Sequence, residues 1–463
     1  SLEEMSLADQ RLRNNSKVRS VEVNSMVEWR ESPNDPSYAE QINLTRAGFE
    51  SAWNLTTGGQ TTEGAEIVLA ILDAGFDVDH PDLSPNLWRN PAEIPNDGVD
   101  NDENGYVDDL FGWDLVSDAK DIPSHPHGTQ VAGIIGAKGD NRQGVAGTNW
   151  DVKMMLFSFL SVADVIEAYE YIRYQRQLWN DTDGREGAFV VATNASFGIE
   201  GVSCVTYPSW GAMYDALGKE GILTAASVAG RSWNVDVEGD MPVDCPSDYL
   251  IGVANLDTFN VLHRSSGYGR SSVDLAAPGE ASFTTRDNGV YGVFGGTSAA
   301  APYVTGAIGL LYATPCPSLL NLSRSDPERA ALLVRDAILG STQANASLQA
   351  RTSSGGSLEV AEAQRLLLES CDADRGEGLS ITAIYPNPAT EFTILQSNSL
   401  VLSGEHPVRI YDALGRLVRL QPAVREPGTP VRLRVDVQDL PSGWYRLEIE
   451  ERGQRATTTL VVW

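Results

Sequence analysis

Three short stretches of the 463-residue chain hold residue types able to act as a nucleophile, a base and an acid that orients the base. GGTSAAAPYVTGAIGLLYAT, residues 295–314, delivers Ser298 through a Gly-Gly-Thr turn to the start of an apolar, small-residue segment of helical character. Gly295 and Gly296 let the backbone turn tightly without a Cβ penalty, and the free amides at a helix N-terminus favour a developing oxyanion. Taken alone, Ser298 reads as an ordinary N-cap, the commoner job for a serine before a helix. HPHGTQVAGIIGA, residues 125–137, sets His127 before Gly128 and Thr129 at the head of a second small-residue helix, with His80 and His125 as nearby decoys. EIVLAILDAGF carries a continuous apolar run, Ile67 to Leu72, that ends at Asp73, and Gly75 turns the chain out. Such a run predicts a strand buried on both faces, and an acid at its carboxyl end lies where open α/β sheets hold their ligands. Asp73, His127 and Ser298 are separated by 54 and 171 residues. The chemistry implied is acyl transfer, because a serine hydroxyl is a poor nucleophile until a base lies within hydrogen-bond reach.

The elements that must position these groups are legible as an alternation. Residues 153–159, 188–198, 221–229 and 249–254 read as strands, and 162–179 and 210–220 as helices. Alternation of this kind predicts an α/β unit, a mostly parallel sheet with helices on both faces. An amphipathic helix carrying Ile42, Ala47, Phe49 and Trp53 is expected before the first core strand, and further helices over 327–339 and 358–369. Residues 1–33 carry no motif and read as an N-terminal arm or propeptide remnant. The catalytic unit is expected over 34–371 and a charged, Gly-containing linker over 372–380. Residues 381–463 alternate with period two and turn at Leu414-Gly415 and Pro441-Ser442-Gly443, which predicts a small all-β antiparallel sandwich.

Composition excludes some partners. A net charge of −29 provides no basic footprint for nucleic acid or an anionic membrane. No apolar run approaches the ~20 residues of a membrane-spanning helix, and a monomer is expected. The opening SLEEMSLADQRLRNN lacks a charged n-region followed by an apolar core, so a signal peptide is expected to be absent or already removed. Cys204, Cys245, Cys316 and Cys371 lack CxxC spacing. An even number in an exported chain predicts two disulfides, Cys204 with Cys245 and Cys316 with Cys371 by proximity along the chain.

One insertion is strongly acidic: six acids and no base lie between Asn96 and Asp109. Asp100, Asp102, Asn104, Tyr106 and Asp109 put oxygen ligands at near-alternate positions with Gly105 at the sixth, close to the opening of a calcium loop. Position twelve is Phe111, so the usual bidentate Glu is missing and Asp108 or Asp109 must substitute. The alternative is a solvated acidic loop.

DAG at 73–75, HGTQVAG at 127–133, GTSAAAP at 296–302 and VDLAAPG at 273–279 together resemble the blocks of the subtilisin-like serine proteases, whose triad runs Asp, His, Ser. The resemblance covers roughly residues 35–315 and implies a secreted endopeptidase acting on protein or peptide substrates. Ser298 attacks the scissile carbonyl, His127 takes and returns the proton, and Asp73 fixes the imidazole tautomer. It also implies that Ser196, Phe197 and Gly198 pair with substrate backbone, although they read equally as ordinary core strand. One departure stands out. The family's oxyanion-hole Asn is expected just after 221–229, where ASVAGRSWNVDV offers Gly230 or Arg231, with Asn234 the nearest Asn. Losing such a donor costs roughly 100- to 1000-fold in turnover, against on the order of a millionfold for the triad. A slow enzyme and an impaired protease serving as a surface binding protein therefore both remain open. YPNPAT, IYDALGR and LPSGWYRLEIE resemble the C-terminal sorting domain of type IX secretion, with a generic β-sandwich as the alternative. That resemblance implies contact with the type IX machinery and a secreted or cell-surface location in a Bacteroidetes-like bacterium.

Overall fold

The computed structural model describes residues 32–373, 380–397, 405–426, 431–451 and 454–463. Most of the expected arm and linker lies outside these residues. The first buried run forms β1 (Val68–Asp73), followed by β2 (Gly112–Asp114), α1 (Pro126–Gly136), β3 (Lys153–Ser158), α2 (Val162–Asp181), β4 (Val190–Ala195) and α3 (Pro208–Lys219). Next come β5 (Leu223–Ser227), β6 (Leu250–Leu256), β7 (Leu275–Pro278), the hairpin β8 (Ser282–Arg286) and β9 (Val290–Phe294), and α4 (Thr297–Ala313). The unit closes with α5 (Pro317–Ser325), α6 (Pro327–Gly340), β10 (Gln343–Ala344), β11 (Gly356–Ser357) and α7 (Val360–Ala373).

Nine strands form one sheet in the order β10-β11-β7-β6-β5-β4-β1-β3-β2. Neighbours from β2 to β11 run parallel, and the short edge pair β10-β11 is antiparallel. The chain leaves β1 for one side, to β3, and later for the other, to β4. Asp73 thus ends the strand at the topological switch point, where such sheets bind ligands. Both faces are covered, as the side-chain period of two requires. Ile67, Leu69 and Ile71 face the core beneath α1 and α4, while Val68, Ala70 and Leu72 face the core beneath α2 and α3. Ser161 starts α2 with a full capping box, its hydroxyl accepting from Asp164 N while the Asp164 carboxylate accepts from Ser161 N.

The entry segment differs from the amphipathic helix expected there. Gly48, at φ +83°, splits it into two short helices, Ile42–Arg46 and Phe49–Ala52. The break changes the buried face: Leu44 is buried, whereas Ile42 is exposed. Both disulfides pair as expected, Cys204 with Cys245 and Cys316 with Cys371. The second ties the end of α7 to the chain entering α5. Among the described residues no helix is long and apolar enough to cross a membrane.

Seven strands, β12 (Ile381–Tyr385), β13 (Phe392–Ser397), β14 (Glu405–Asp412), β15 (Leu417–Glu426), β16 (Val431–Asp436), β17 (Gly443–Glu451) and β18 (Gln454–Val462), form an antiparallel sheet. It curls so that Ala389, just beyond β12, bridges to Val462 at the opposite edge. The enclosed core includes Leu395, Ile410, Val435, Leu447 and Leu460.

Packing of α4 against the loop between α1 and β3 depends on Gly306, where an added Cβ would lie 2.6 Å from Thr148 Cβ. The Thr148 hydroxyl donates to Ile135 O at 2.8 Å, so its side chain is not free to swing aside. Gly306→Ala is therefore expected to destabilise the fold by about 1–3 kcal/mol through overpacking. A urea midpoint equal to that of the wild type would overturn this account.

Candidate active site

Each candidate group is placed by the end of a regular element. Asp73 closes β1 and is buried, and its two carboxylate oxygens lie 2.8 Å from His127 Nδ1. Oδ1 also accepts from Ala74 N at 2.7 Å, which fixes the carboxylate plane. Gly75 makes the exit turn at φ +142°, and a Cβ there would run into Pro123 O. His127 is the second residue of α1, and the ring of His125 caps that helix by accepting from His127 N at 3.3 Å. The imidazole stands edge-on to Phe294, with ring centres 5.4 Å apart. His80, by contrast, is fully buried and holds Val290 O and Asp82 N, a structural task.

Burial works against a charged His127 ring, but the hydrogen bond and charge of Asp73 outweigh it and raise its pKa above the ordinary value. The Asp73 contact also leaves Nε2 as the atom that faces outward from the pair.

Ser298 is the second residue of α4. The turn before it requires glycine, since Gly296 adopts φ +89° and ψ −176°. Glu280 secures this turn by accepting from Gly296 N at 3.0 Å and from Asn255 Nδ2 at 2.8 Å. The Ser298 hydroxyl donates to Ser196 O at 3.3 Å, and the Ser196 hydroxyl returns a bond to Ser298 O at 2.9 Å. No hydrogen bond joins Ser298 Oγ to His127 among the described residues. Catalytic contacts are often long before substrate binds.

The arm leading out of β4 runs through Ser196, Phe197 and Gly198. The Phe197 ring packs on Phe159, 4.3 Å between centres, and on Trp210. Gly198 lies so close to a second arm that a Cβ would be 2.5 Å from Met241 O. Beyond it Ile199 and Glu200 pair antiparallel with Met241 and Asp240.

The three oxyanion candidates have different fates. Gly230 N donates to Glu200 Oε1 at 3.0 Å, and Arg231 Nε pairs with the same carboxylate while its guanidinium stacks over Trp233. The Asn234 side chain accepts from Asp236 N as the cap of Val235–Glu238. At Ser298 itself, the Thr297 and Ser298 amides begin α4 without backbone partners among the described residues, as the first turn of any helix does.

In the acidic insertion, carboxylate oxygens of Glu93, Asp100 and Asp102 lie within 4.8 Å of one another. Glu93 was not among the residues the loop pattern singled out, and it comes from outside the loop. Asp108 turns instead to Lys120 at 3.1 Å, while Asp109 is bound by Asn90, Asn104 and Tyr171. Burial raises the Asp109 pKa to about 6, against the pull of those three donors. Tyr106 sends its hydroxyl away to Glu167. A second pair of buried acids, Asp35 and Asp82, flanks the loop after α1. Asp140 N donates to Asp35 Oδ2, and Asn141 Nδ2 to Asp82 Oδ1. Asp35 Oδ1 is buried without a hydrogen-bond partner.

With Asp73 supporting the imidazolium, the acid limb of kcat/KM is expected to have its midpoint above the ordinary ~6.5 of histidine, activity rising with pH as the base becomes neutral. Asp73→Asn is expected to lower that midpoint and cut kcat by ~10⁴-fold. A pH profile whose midpoint does not move in the variant would remove Asp73 from this role.

Comparison with known proteins places this arrangement. The profile of the subtilase family matches residues 64–358, and that of the secretion system C-terminal sorting domain matches residues 383–463. The chain is 30% identical over 319 residues to halolysin of Haloferax mediterranei, covering 67% of this chain and 51% of that protein. It is 28% identical over 320 residues to an extracellular protease of Xanthomonas campestris pv. campestris, covering 64% and 52%. Against subtilisin-like protease 1 of Plasmodium berghei the identity is 27% over 295 residues, covering 58% and 46%. The chain thus spans about half the length of these relatives. Among solved structures, a protease of Pseudoalteromonas arctica superposes with a TM-score of 0.53 at 21% identity, covering 73% of this chain and all of that one. The nisin leader peptidase of Lactococcus lactis gives 0.51 at 18%, covering 71% and 94%, which speaks to the fold alone. A family match over more than half of the chain, spanning Asp73, His127 and Ser298, makes this protein a member of the subtilase family.

Proposed function

We propose that the chain is a secreted serine endopeptidase that cleaves peptide bonds through an acyl-enzyme, with Ser298 as nucleophile, His127 as general base and acid, and Asp73 orienting the imidazole. The observation that carries this reading is the paired contact of both Asp73 oxygens on His127 Nδ1, on a helix that packs against the one headed by Ser298. The Ser298 amide supplies one oxyanion donor. Arg231 is our choice for the second, because only its Nε is held by Glu200 and the rest of its planar fork remains available. Substrate backbone lies along Ser196–Gly198. We assign residues 34–371 to the catalytic unit and 381–463 to export of a monomer through the type IX machinery, to the cell surface or beyond it.

The second reading is an impaired protease used for binding. It draws on Ser298 Oγ bonding Ser196 O instead of His127, and on the lack of an Asn donor beside Gly230. A fluorophosphonate probe separates the two, with casein hydrolysis followed in the same samples. Labelling and hydrolysis are expected in the wild type and lost in Ser298→Ala. Arg231→Ala is expected to label but to turn over roughly 100- to 1000-fold more slowly, the cost of one oxyanion donor. A folded wild type that neither labels nor hydrolyses would install the binding reading.

Calcium is proposed at two places. Glu93, Asp100 and Asp102 supply converging carboxylates, with Asn104, the Tyr106 carbonyl and Asp109 around them. Asp35 and Asp82 offer the second, where the unpartnered Asp35 Oδ1 fits a cation better than an empty space. Bound there, the ion neutralises acids and fixes loops; it takes no part in peptide hydrolysis. Replacing EDTA by calcium is expected to raise the melting temperature, with a smaller rise in Asp100→Asn and in Asp35→Asn. An identical melting temperature with and without calcium would eliminate both sites.

A further inference from the structure

Two arms leave the sheet side by side next to the nucleophile. One is the Ser196–Glu200 arm, whose first carbonyl accepts from Ser298 Oγ. The other continues from β5, where Ala226 is in register with Ala195, and runs through Ala229 to Arg231. A third segment, Asp240–Met241, closes the gap between them by pairing with Ile199 and Glu200. Directly opposed residues of an antiparallel pair point their side chains the same way, so Glu200 and Asp240 share a face. Their carboxylates meet successive amides of the second arm, Asp240 Oδ2 accepting from Ala229 N at 2.7 Å and Glu200 Oε1 from Gly230 N at 3.0 Å.

Asp240 is 2% exposed, and Oδ1 accepts no hydrogen bond among the described residues. No lysine, arginine or histidine pairs with it there either. Asp244, the next acid, has its own carboxylate occupied by Cys204 N. Burial, with Glu200 and Asp244 adding like charge against the single bond from Ala229, pushes the Asp240 pKa up to about 7. A buried carboxylate without a cation is costly, and native chains rarely keep one without a use. A calcium ion is a poor fit, since it needs six to eight oxygens and Glu200 is already committed to Gly230 and Arg231.

We propose that Asp240, with Glu200 above it, makes this crevice a specificity pocket for a basic side chain, Arg or Lys, on the substrate residue that donates the scissile carbonyl. The assignment rests on the protease reading above. A substrate strand laid along Ser196–Gly198 puts that residue level with the Ser196 carbonyl. Its alternate side chain is directed between the two arms toward the free Asp240 Oδ1. A guanidinium or ammonium entering there pairs the buried charge. The −29 net charge of the chain draws basic segments in the same direction. The Phe197 ring is occupied elsewhere, stacked on Trp210.

The test uses the full chain and peptides differing only at the residue before the scissile bond, which is Arg, Lys, citrulline or norleucine, with active sites counted by fluorophosphonate labelling. Wild type is expected to prefer Arg over its neutral isostere citrulline, and Lys over norleucine, by roughly 30-fold or more in kcat/KM, the low end for losing one partner of a buried charge pair. In Asp240→Asn both ratios are expected to fall toward one, and in Glu200→Gln to fall less. Ratios near one in a wild type that hydrolyses all four peptides overturn the pocket and leave the protease standing. So do ratios that persist in a labelled Asp240→Asn. A wild type that neither labels nor cleaves any peptide overturns the protease reading and the pocket with it. Should Asp240→Asn fail to label, the wild-type ratios and Glu200→Gln still decide.

Discussion

The close approach of two small-residue helices to the sheet is the constraint on which the site depends. His127 and Ser298 stand at the heads of α1 and α4, which pack against each other. Their separation is therefore set by how near the two helix axes and β1 come together. At Gly128 a Cβ would be 2.9 Å from Asp73 Cβ, and at Gly309 another would be 3.0 Å from Leu69 Cδ1. Each position has traded a side chain for proximity. An interior packed at this density has few ways to relax, so a misfit along the seam is transmitted to the helix heads. Positioning errors of that kind are costly, because near-attack geometry tolerates little displacement.

Polar groups then fix what packing leaves adjustable. Asn194, fully buried in β4, accepts from the Thr305 hydroxyl on α4 and donates to Ser196 Oγ, which itself donates to Ser298 O. The chain of bonds couples the sheet, the Ser196–Gly198 arm and the backbone at Ser298. Glu280 does a related job from the other side by holding Gly296 N and Asn255 Nδ2 together. Buried networks of this sort are stabilising only when nearly every member is satisfied, and among the residues named here Asn255 Oδ1 is left without a partner. Two carboxylate oxygens elsewhere also accept no hydrogen bond among the described residues, Asp35 Oδ1 and Asp240 Oδ1, and an ion or a substrate cation would complete them.

This distribution gives the chain's acidity more than one meaning. Much of the negative charge is solvated surface, which bears on solubility and not on fold. Asp73 is buried and paired with His127, so its desolvation is offset by an imidazole whose charged form it favours. Asp109 is buried on neutral donors from Asn90, Asn104 and Tyr171, which replace the water it loses. Asp240 has one amide only. The same residue type thus sits in three electrostatic situations, and the number of donors within reach separates them.

What the sequence made legible follows from the range of the interactions involved. The apolar run ending at Asp73, the glycines around His127 and Ser298, and the strand-helix alternation are local signals, and the parallel sheet with both faces covered is their direct consequence. The antiparallel C-terminal sheet is read from period-two alternation for the same reason. The entry helix was misread because periodicity alone gave no weight to Gly48, whose left-handed conformation restarts the helix and rotates Ile42 out to solvent. Glu93, Glu280, Glu200 and Asp240 gave no local sign of their roles. Glu200 meets Gly230 across 30 residues and Asp240 meets Ala229 across 11, through arms whose register is decided only when β4 and β5 pair. Groups that carry the chemistry are thus written at element ends, where glycine and helix signals mark them. Groups that tune it lie on connecting arms, and only the assembled sheet brings those arms together.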